Sequence, residues 1–319
     1  MVPYAKTDIP VQNILVLTDF SACSQKALLY AANIARRHNS KLTLLHMVAP
    51  QFSLLPQPAR RKEALRAALG EMKQFQAGLV SRGVLRDIHY QLLVRPGKNW
   101  NVISRILKLQ STDLVVMGTR GRTGLKKLIL GSFAEAVFRK APCPVLTVGP
   151  GIPDQEVSQS PRHILFPTDE SHASKAAESY AFQLGRGPGV QLTQLRVVHG
   201  GSLTDGKSGV NQRLRHARER LHATGLYAAW REGGTTPNVV AEMGPKVKTI
   251  LRVVDRTDAD LVILGIAKAS NAPEIFGWTD AYQVVCSAHC PVLTVPHTFP
   301  DPYFKRLFQE EPLRMAGNL

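Results

Sequence analysis

The chain carries one signature twice. Asn13-Ile14-Leu15-Val16-Leu17-Thr18-Asp19 returns as His163-Ile164-Leu165-Phe166-Pro167-Thr168-Asp169. Asp113-Leu114-Val115-Val116-Met117-Gly118 returns as Asp260-Leu261-Val262-Ile263-Leu264-Gly265. Cys143-Pro144-Val145-Leu146-Thr147-Val148 returns as Cys290-Pro291-Val292-Leu293-Thr294-Val295. The offset is 150 residues at the first pair and 147 at the other two. A weaker echo joins Leu44-Leu45-His46 to Val197-Val198-His199. Solenoid units repeat every ~20–50 residues, so a period this long marks a duplicated domain. A length of 319 residues agrees, because single cores stop growing near ~250–300 residues.

Each copy alternates short, uninterrupted apolar runs with longer helical patterns. In the first copy the runs predict strands near 13–18, 41–48, 88–94, 113–117 and 144–148, with helices near 23–38, 58–82, 99–110 and 132–140. In the second, strands are expected near 163–168, 190–198, 238–242, 260–264 and 292–295. Continuous apolar strands suit a parallel sheet covered on both faces. The expected fold class is therefore α/β, with two tandem doubly wound parallel-sheet α/β sandwich domains and right-handed crossovers. The domains are expected at 1–150 and 162–297, joined by the Gly- and Pro-containing stretch 149–161. Residues 298–319 read as a polar C-terminal tail that could dock as a short helix around Phe304–Gln309.

Composition excludes several classes. Apolar residues are 44% and charged residues 20%, which is globular rather than disordered. No apolar run approaches the ~18 residues needed to span a bilayer, and Met1–Lys6 lacks the apolar core of a signal peptide. Four scattered cysteines do not make a disulfide scaffold, so a reducing cytoplasm is expected. The net charge of +16 is uneven. Residues 1–150 hold 22 basic and 7 acidic side chains, net +15, while the remainder holds 18 and 17, net +1. The first half is the one built to attract anions.

That half also carries a glycine loop. Gly118-Thr119-Arg120-Gly121 follows a buried strand, and Gly131-Ser132 opens the next helix, giving G-x2-G-x9-G-S. Glycine lets a backbone approach a ligand closely, and the free N–H groups of a helix start favour an anion. In an open parallel sheet, ligands sit beyond the carboxyl ends of the strands, where this loop begins. Arg120, Arg122, Lys126 and Lys127 surround it. A plainer reading is available: Ser132 and Glu135 form S-x-x-E, a capping box, and the glycines only turn the chain. Likewise Asp19-Phe20-Ser21 precedes a helix, so Asp19 could be a cap.

The loop spacing, with Thr-Asp after the first strand and Cys-Pro-Val before the last, resembles the universal stress protein family over nearly the whole chain, as a tandem pair. That family is itself similar to the adenine-nucleotide α-hydrolase superfold. Members of the ATP-binding type hold adenine nucleotide with this loop, and the resemblance implies that role here. By that resemblance, Gly118 and Gly121 would line the ribose and phosphates, and Gly131, Ser132 and the backbone of Phe133 would bind the phosphate chain. Met117 and Met47 would sit near the adenine. Thr18 and Asp19 would close the site, with Asp19 on the ribose or on a magnesium ion beside the phosphates. One departure stands in the first half: Leu17 precedes Thr-Asp where the family often has proline, as at Pro167.

The second half departs further. Lys268 replaces Gly121, and at the matching offset Trp278 replaces Gly131, with Gly277 one position early. Pro273, Phe276 and Trp278 would obstruct backbone approach, so no ATP is expected there although Asp169 remains. Gly244-Pro245-Lys246-Val247-Lys248-Thr249 lacks the second glycine of a P-loop and aligns with the turn Arg95–Lys98. Cys286-Ser287-Ala288-His289-Cys290 offers too few ligands for structural zinc. His46 and His199, at matching strand ends, read as structural. The basic helix around Arg60–Arg66 reads as a solvated face with one buried stripe. Few aromatics accompany the charge and no nucleic-acid module is recognised, so nucleic acid is not the expected partner.

No catalytic constellation stands out, and slow ATP hydrolysis is left open. The Ser-Gly-Gly-type loop of the superfold's synthetases is absent after the first strand. The expectation is a nucleotide-binding stress protein whose final strands pair within one chain as an internal pseudo-dimer. A homodimer of whole chains stays open, as does an acidic protein partner for the basic half, which could act as a nucleotide-independent scaffold.

Overall fold

The computed structural model describes residues 11–48, 58–97, 100–119, 130–152, 161–185, 189–198, 207–232, 236–267 and 277–297. The first half runs β1 (Asn13–Thr18), α1 (Ala22–His38), β2 (Lys41–Val48), α2 (Pro58–Ser81), β3 (Tyr90–Pro96), α3 (Trp100–Leu109), β4 (Leu114–Gly118), α4 (Ser132–Lys140) and β5 (Val145–Val148). The second runs β6 (His163–Pro167), α5 (His172–Gly185), β7 (Gln191–Val198), α6 (Lys207–His222), α7 (Gly225–Glu232), β8 (Asn238–Met243), α8 (Lys246–Thr257), β9 (Leu261–Ile266), α9 (Trp278–Ser287) and β10 (Val292–Pro296).

All ten strands form one sheet in the order β3-β2-β1-β4-β5-β10-β9-β6-β7-β8. Every pairing inside a half is parallel. Only the seam between halves is antiparallel, where Leu293 faces Leu146. Two buried hydroxyls stitch it symmetrically: Thr147 Oγ1 donates to the Val292 carbonyl at 3.1 Å, and Thr294 Oγ1 to the Val145 carbonyl at 3.2 Å. The seam converts two strand edges that would template foreign pairing into sheet interior.

The continuous apolar strands feed two cores. Ile14 and Val16 point into one face with Leu42, Leu44 and Val116, while Leu15 and Leu17 point into the other with Leu45, Val115 and Met117. Both cores cross the seam, taking Ile164 and Phe166 on one side and Leu165 on the other. Helix α1 lies close because its inward stripe is mostly small: Cys23, Ser24, Ala27, Ala31, Ala32 and Ala35 are buried, with Leu28 the one large side chain among them. It starts at Ser21, whose hydroxyl accepts from Ser24 N at 3.3 Å, and ends at Asn39 in the left-handed region. Arg36, Arg37 and His38 complement the dipole of its last turn.

Helix α2 buries Ala68, Met72 and Leu79 in one stripe and exposes Lys62, Glu63, Arg66 and Lys73, so its charges are a solvated face. The strand register corrects one equivalence. Leu17 pairs with Leu45 and Pro167 with Leu195, so the halves match at offset 150 through β2 and β7. His46 therefore corresponds to Arg196, not to His199, which lies outside the described residues. The expected tail helix at 304–309 also lies outside them. Among the described residues no helix is long and apolar enough to cross a membrane.

Candidate functional site

The sheet order places β2 on one side of β1 and β4 on the other. The chain thus reverses its winding between β1 and β4, and the crevice beyond their carboxyl ends is where open α/β sheets take ligands. Four residues stand there: Thr18, the last of β1, with Asp19 after it, and Gly118, the last of β4, with Thr119 after it.

Thr18 and Asp19 build the entry to α1. The buried Thr18 Oγ1 accepts from Phe20 N at 3.1 Å and lies 3.2 Å from Ser24 Oγ. Asp19 Oδ1 accepts from Ser21 N at 3.1 Å. The second half repeats this turn: Thr168 Oγ1 accepts from Glu170 N at 3.2 Å, and Asp169 Oδ1 takes Ser171 N at 2.9 Å and Ser174 Oγ at 2.5 Å. The Thr-Asp pair therefore has a structural job in both halves, as an Asx-type turn into a helix.

Sequence reasoning passed over two neighbours of this turn. Phe20 holds a positive φ of 65°, and its ring stacks on His46 at 4.4 Å and meets Phe75 edge-on at 5.2 Å. His46 Nδ1 lies 2.9 Å from the Thr18 carbonyl, which can only accept, so Nδ1 carries a proton. The other half has Glu170, also at positive φ, and Arg196 in these places, with Glu170 paired to Arg220. A bulky residue in the left-handed region has no local sequence signal.

Met47 and Met117 are both buried and share the core on the Leu15–Leu17 face, here the lower core, with Leu17, Leu130 and Phe138. Gly118 turns out to be a packing residue. A Cβ there would lie 2.8 Å from the Cys23 carbonyl carbon and 2.9 Å from Ser24 N. Its counterpart Gly265 is tighter still, 2.0 Å from the Ala173 carbonyl oxygen. Both strands end directly against a helix backbone, whatever else the glycine does. Gly121, with Arg120, Arg122, Lys126 and Lys127, lies outside the described residues, as do Lys268, Pro273 and Phe276.

Gly131 is different. It is the N-cap of α4, exposed, with φ −58° and ψ 144° open to any residue, and an added Cβ would meet nothing within 4 Å. Neither its backbone conformation nor packing among the described residues demands glycine there. Helix α4 begins at Ser132 with Gly131 as its N-cap, so Ser132 stands at the first helical position and not at the cap that a capping box requires. Glu135 N instead bonds the Gly131 carbonyl at 2.8 Å. Phe133, half-buried, packs on the lower core. The first N–H groups of α4 have no partner within the helix itself, as at any helix start.

In the second half Gly277 takes the N-cap and Trp278 the first helical position. Gly277, not Trp278, is thus the true counterpart of Gly131, and Ala281 N bonds its carbonyl at 3.2 Å. Gly277 also bridges to Ala267 just beyond β9, which ties this cap to the strand end.

Metal chemistry finds little footing: among the described residues no three His, Cys, Asp or Glu side chains gather as a ligand set. His289 pairs with Asp255 at 3.1 Å. The turn Gly244-Pro245 leads from β8 into α8, as Gly97 follows β3, and Lys246 is buried against Asp280 at 3.1 Å.

The profile of the Universal stress protein family matches this chain twice, over residues 10–149 and 161–296. The chain belongs to the universal stress protein family. A universal stress protein of Methanocaldococcus jannaschii is 34% identical over 145 residues, covering 43% of this chain and 81% of that protein. One from Mycolicibacterium smegmatis is 31% identical over 188 residues, covering 58% of this chain and 63% of that protein. The crystal structure of a universal stress protein from Archaeoglobus fulgidus superposes with a TM-score of 0.64 at 20% identity, covering 91% of this chain and 98% of that one. The two-domain universal stress protein fold is therefore common ground. In sequence the two halves part after β4 and β9, where Gly121 has Lys268 at the matching offset.

Proposed function

We propose that this universal stress protein binds ATP, with magnesium, in its first domain (1–150), and that the second domain (162–297) is a partner that takes no nucleotide. The observation that carries this is the start of α4. An exposed glycine of ordinary φ, unrequired by packing among the described residues, caps a helix beside the β1–β4 switch point; Gly277 caps α9 in the same way, so the charge of the first half is what singles out this cap. Leaving that position without a side chain keeps the helix N–H groups open to an anion. The net charge of +15 on the same half favours a polyphosphate.

The described residues fit such a group. Gly131, Ser132 and Phe133 would offer backbone donors to the phosphates, with Gly121 in the intervening loop. Asp19, whose Oδ1 accepts from Ser21 N, stands at the facing strand end, and its carboxylate is of the type that binds ribose hydroxyls or a magnesium ion. Met47 and Met117 supply apolar surface for a purine, and Gly118 brings β4 close beneath it. Binding would serve as a signal in a cytoplasmic stress response rather than as fast catalysis.

Mass spectrometry of small molecules released from the denatured protein, followed by calorimetric titration of Mg-ATP, tests this. Saturable binding of one ATP per chain, lost in Gly131→Val, is expected. A protein that releases no nucleotide and does not bind it refutes the reading. A second reading, an ATP-independent scaffold for an acidic protein, is favoured by the same charge asymmetry.

A further inference from the structure

Helix α4, which opens the proposed phosphate loop, is held by the opposite domain. Leu130, the residue before its cap, is buried, yet its N–H donates across the seam to Tyr282 Oη at 3.3 Å. At the other end of α4, the guanidinium of Arg139 lies 4.7 Å above the ring of Trp278. Trp278 in turn meets Tyr282 edge-on, with ring centroids 6.0 Å apart at 75°. One face of α9 thus touches α4 before its first turn and in its last. Among the described residues these contacts run one way. Counted from the shared glycine cap, Trp278 corresponds to Ser132 and Tyr282 to Ala136, so the first half has no aromatic pair at these positions to return them.

We infer that Tyr282 and Trp278 are positioning residues for the first domain's nucleotide loop: the domain that lost its own loop clamps α4 of the domain that kept one. The inference rests on the nucleotide reading above. A buried amide needs an acceptor, and within a helix start that acceptor is not guaranteed by the helix itself. Tyr282 supplies it from outside. Burial, and then Cys286 and Glu135 beside it, raise the Tyr282 pKa above its usual 10, so the hydroxyl stays neutral through the physiological range. The clamp is therefore constant with pH, and its effect is to keep the start of α4 in one place. A loop that is ready only part of the time binds with affinity reduced by that fraction, so freeing α4 weakens ATP without removing any ATP contact.

The variant is Tyr282→Phe, which keeps the ring and removes only the hydroxyl. Two measurements are made on the full chain: hydrogen exchange of the 130–133 amides without nucleotide, and calorimetric Mg-ATP affinity. Exchange at 130–133 is expected to quicken about fivefold, as one lost hydrogen bond allows, with the α1 amides unchanged. The affinity for Mg-ATP should fall as well, by no more than that factor. Conversely, ATP bound to the wild type should slow exchange at Leu130. Unchanged exchange at 130–133 overturns the clamp. Faster exchange with wild-type ATP affinity overturns its link to the loop. If the wild type itself binds no ATP, the nucleotide reading fails and takes that link with it, while the exchange arm still decides whether Tyr282 holds α4.

Discussion

Substituting three glycines in turn separates packing from ligand approach at the strand ends. At Gly118, an added methyl would sit 2.8 Å from the Cys23 carbonyl carbon, 2.9 Å from its Cβ and 2.9 Å from Ser24 N. Relaxed carbon contacts lie at ~3.5–4.0 Å, so α1 must retreat by ~0.7 Å. The obstacles are backbone and β-carbon, which cannot swing away as a long side chain can. Overpacking of this kind costs about 1–3 kcal/mol, and Gly118→Ala is expected near the middle of that range. At Gly265 the nearest atoms are at 2.0 and 2.3 Å, both in the Ala173 peptide. Gly265→Ala should reach the top of the range or exceed it. Gly131→Val meets nothing and has an ordinary φ, so it should cost less than about 1 kcal/mol, mainly the weaker N-cap preference of valine. Its effect on ATP should be the reverse. A branched side chain over the helix start would displace about two charge-assisted hydrogen bonds, a loss of about a hundredfold in affinity. Urea denaturation gives the stability order and calorimetry the affinity. Wild-type ATP affinity in Gly131→Val, or destabilisation equal to that of Gly118→Ala, refutes the division of labour.

Three further outcomes follow from the same geometry. Asp19→Asn keeps an oxygen for the Ser21 amide, so stability should hold while Mg-ATP affinity drops. Asp19→Ala also breaks the turn and should cost about 1 kcal/mol in a urea titration. Glu242 pairs with Arg252 and Arg256; burial opposes its charge, but the two guanidinium hydrogen bonds outweigh it and hold its pKa below 4.5. Its ionised form is favoured in the fold, so its stabilisation is present above pH 4.5 and is lost as pH falls through the depressed value; in Glu242→Gln the acid side of a melting-temperature profile should flatten. Residues 1–152 expressed alone would leave β5 as a bare edge, and sedimentation should find a dimer rather than a monomer.

The duplication made the fold legible because strand ends are set by the repeated motifs. β1, β2 and α4 fall where the pattern puts them, at Asn13–Thr18, Lys41–Val48 and Ser132–Lys140. β3 starts two residues later than expected, at Tyr90, because an edge strand takes its limits from its one neighbour and Tyr90 is the first residue facing β2, at Leu42. The His46–His199 equivalence failed for a related reason. Two apolar residues and a histidine are a weak pattern, whereas pairing register leaves no freedom, and it selects Arg196. The site was legible in outline only. A glycine after a strand looks the same in sequence whether it makes room for a ligand or for a helix, and the Cys23 backbone decides in favour of the helix at Gly118. The S-x-x-E spacing was genuine, but the helix began at Ser132 rather than after it, leaving Gly131 as cap. Phe20 shows the opposite case, where stacking on His46 and Phe75 holds a backbone conformation that local preference disfavours.

Salt separates the two readings of the first half's charge. Its net of +15 is far more than one triphosphate can neutralise, while the second half is nearly neutral at +1. If the charge serves ATP, it acts mostly at long range, drawing the nucleotide toward the β1–β4 crevice. Raising ionic strength shortens the Debye length from ~30 Å at 0.01 M to ~10 Å at 0.1 M, so the association rate should fall steeply. The dissociation rate should change much less, since backbone donors at the start of α4 hold the phosphates at contact distance. If the charge serves an acidic protein, that complex should loosen with salt in both rates, and saturating ATP should leave it unchanged. Stopped-flow kinetics of a fluorescent ATP analogue over this range checks the first case. An association rate indifferent to salt means that the excess charge does not steer nucleotide, and the basic faces of α1 and α2 are then left to a macromolecular partner.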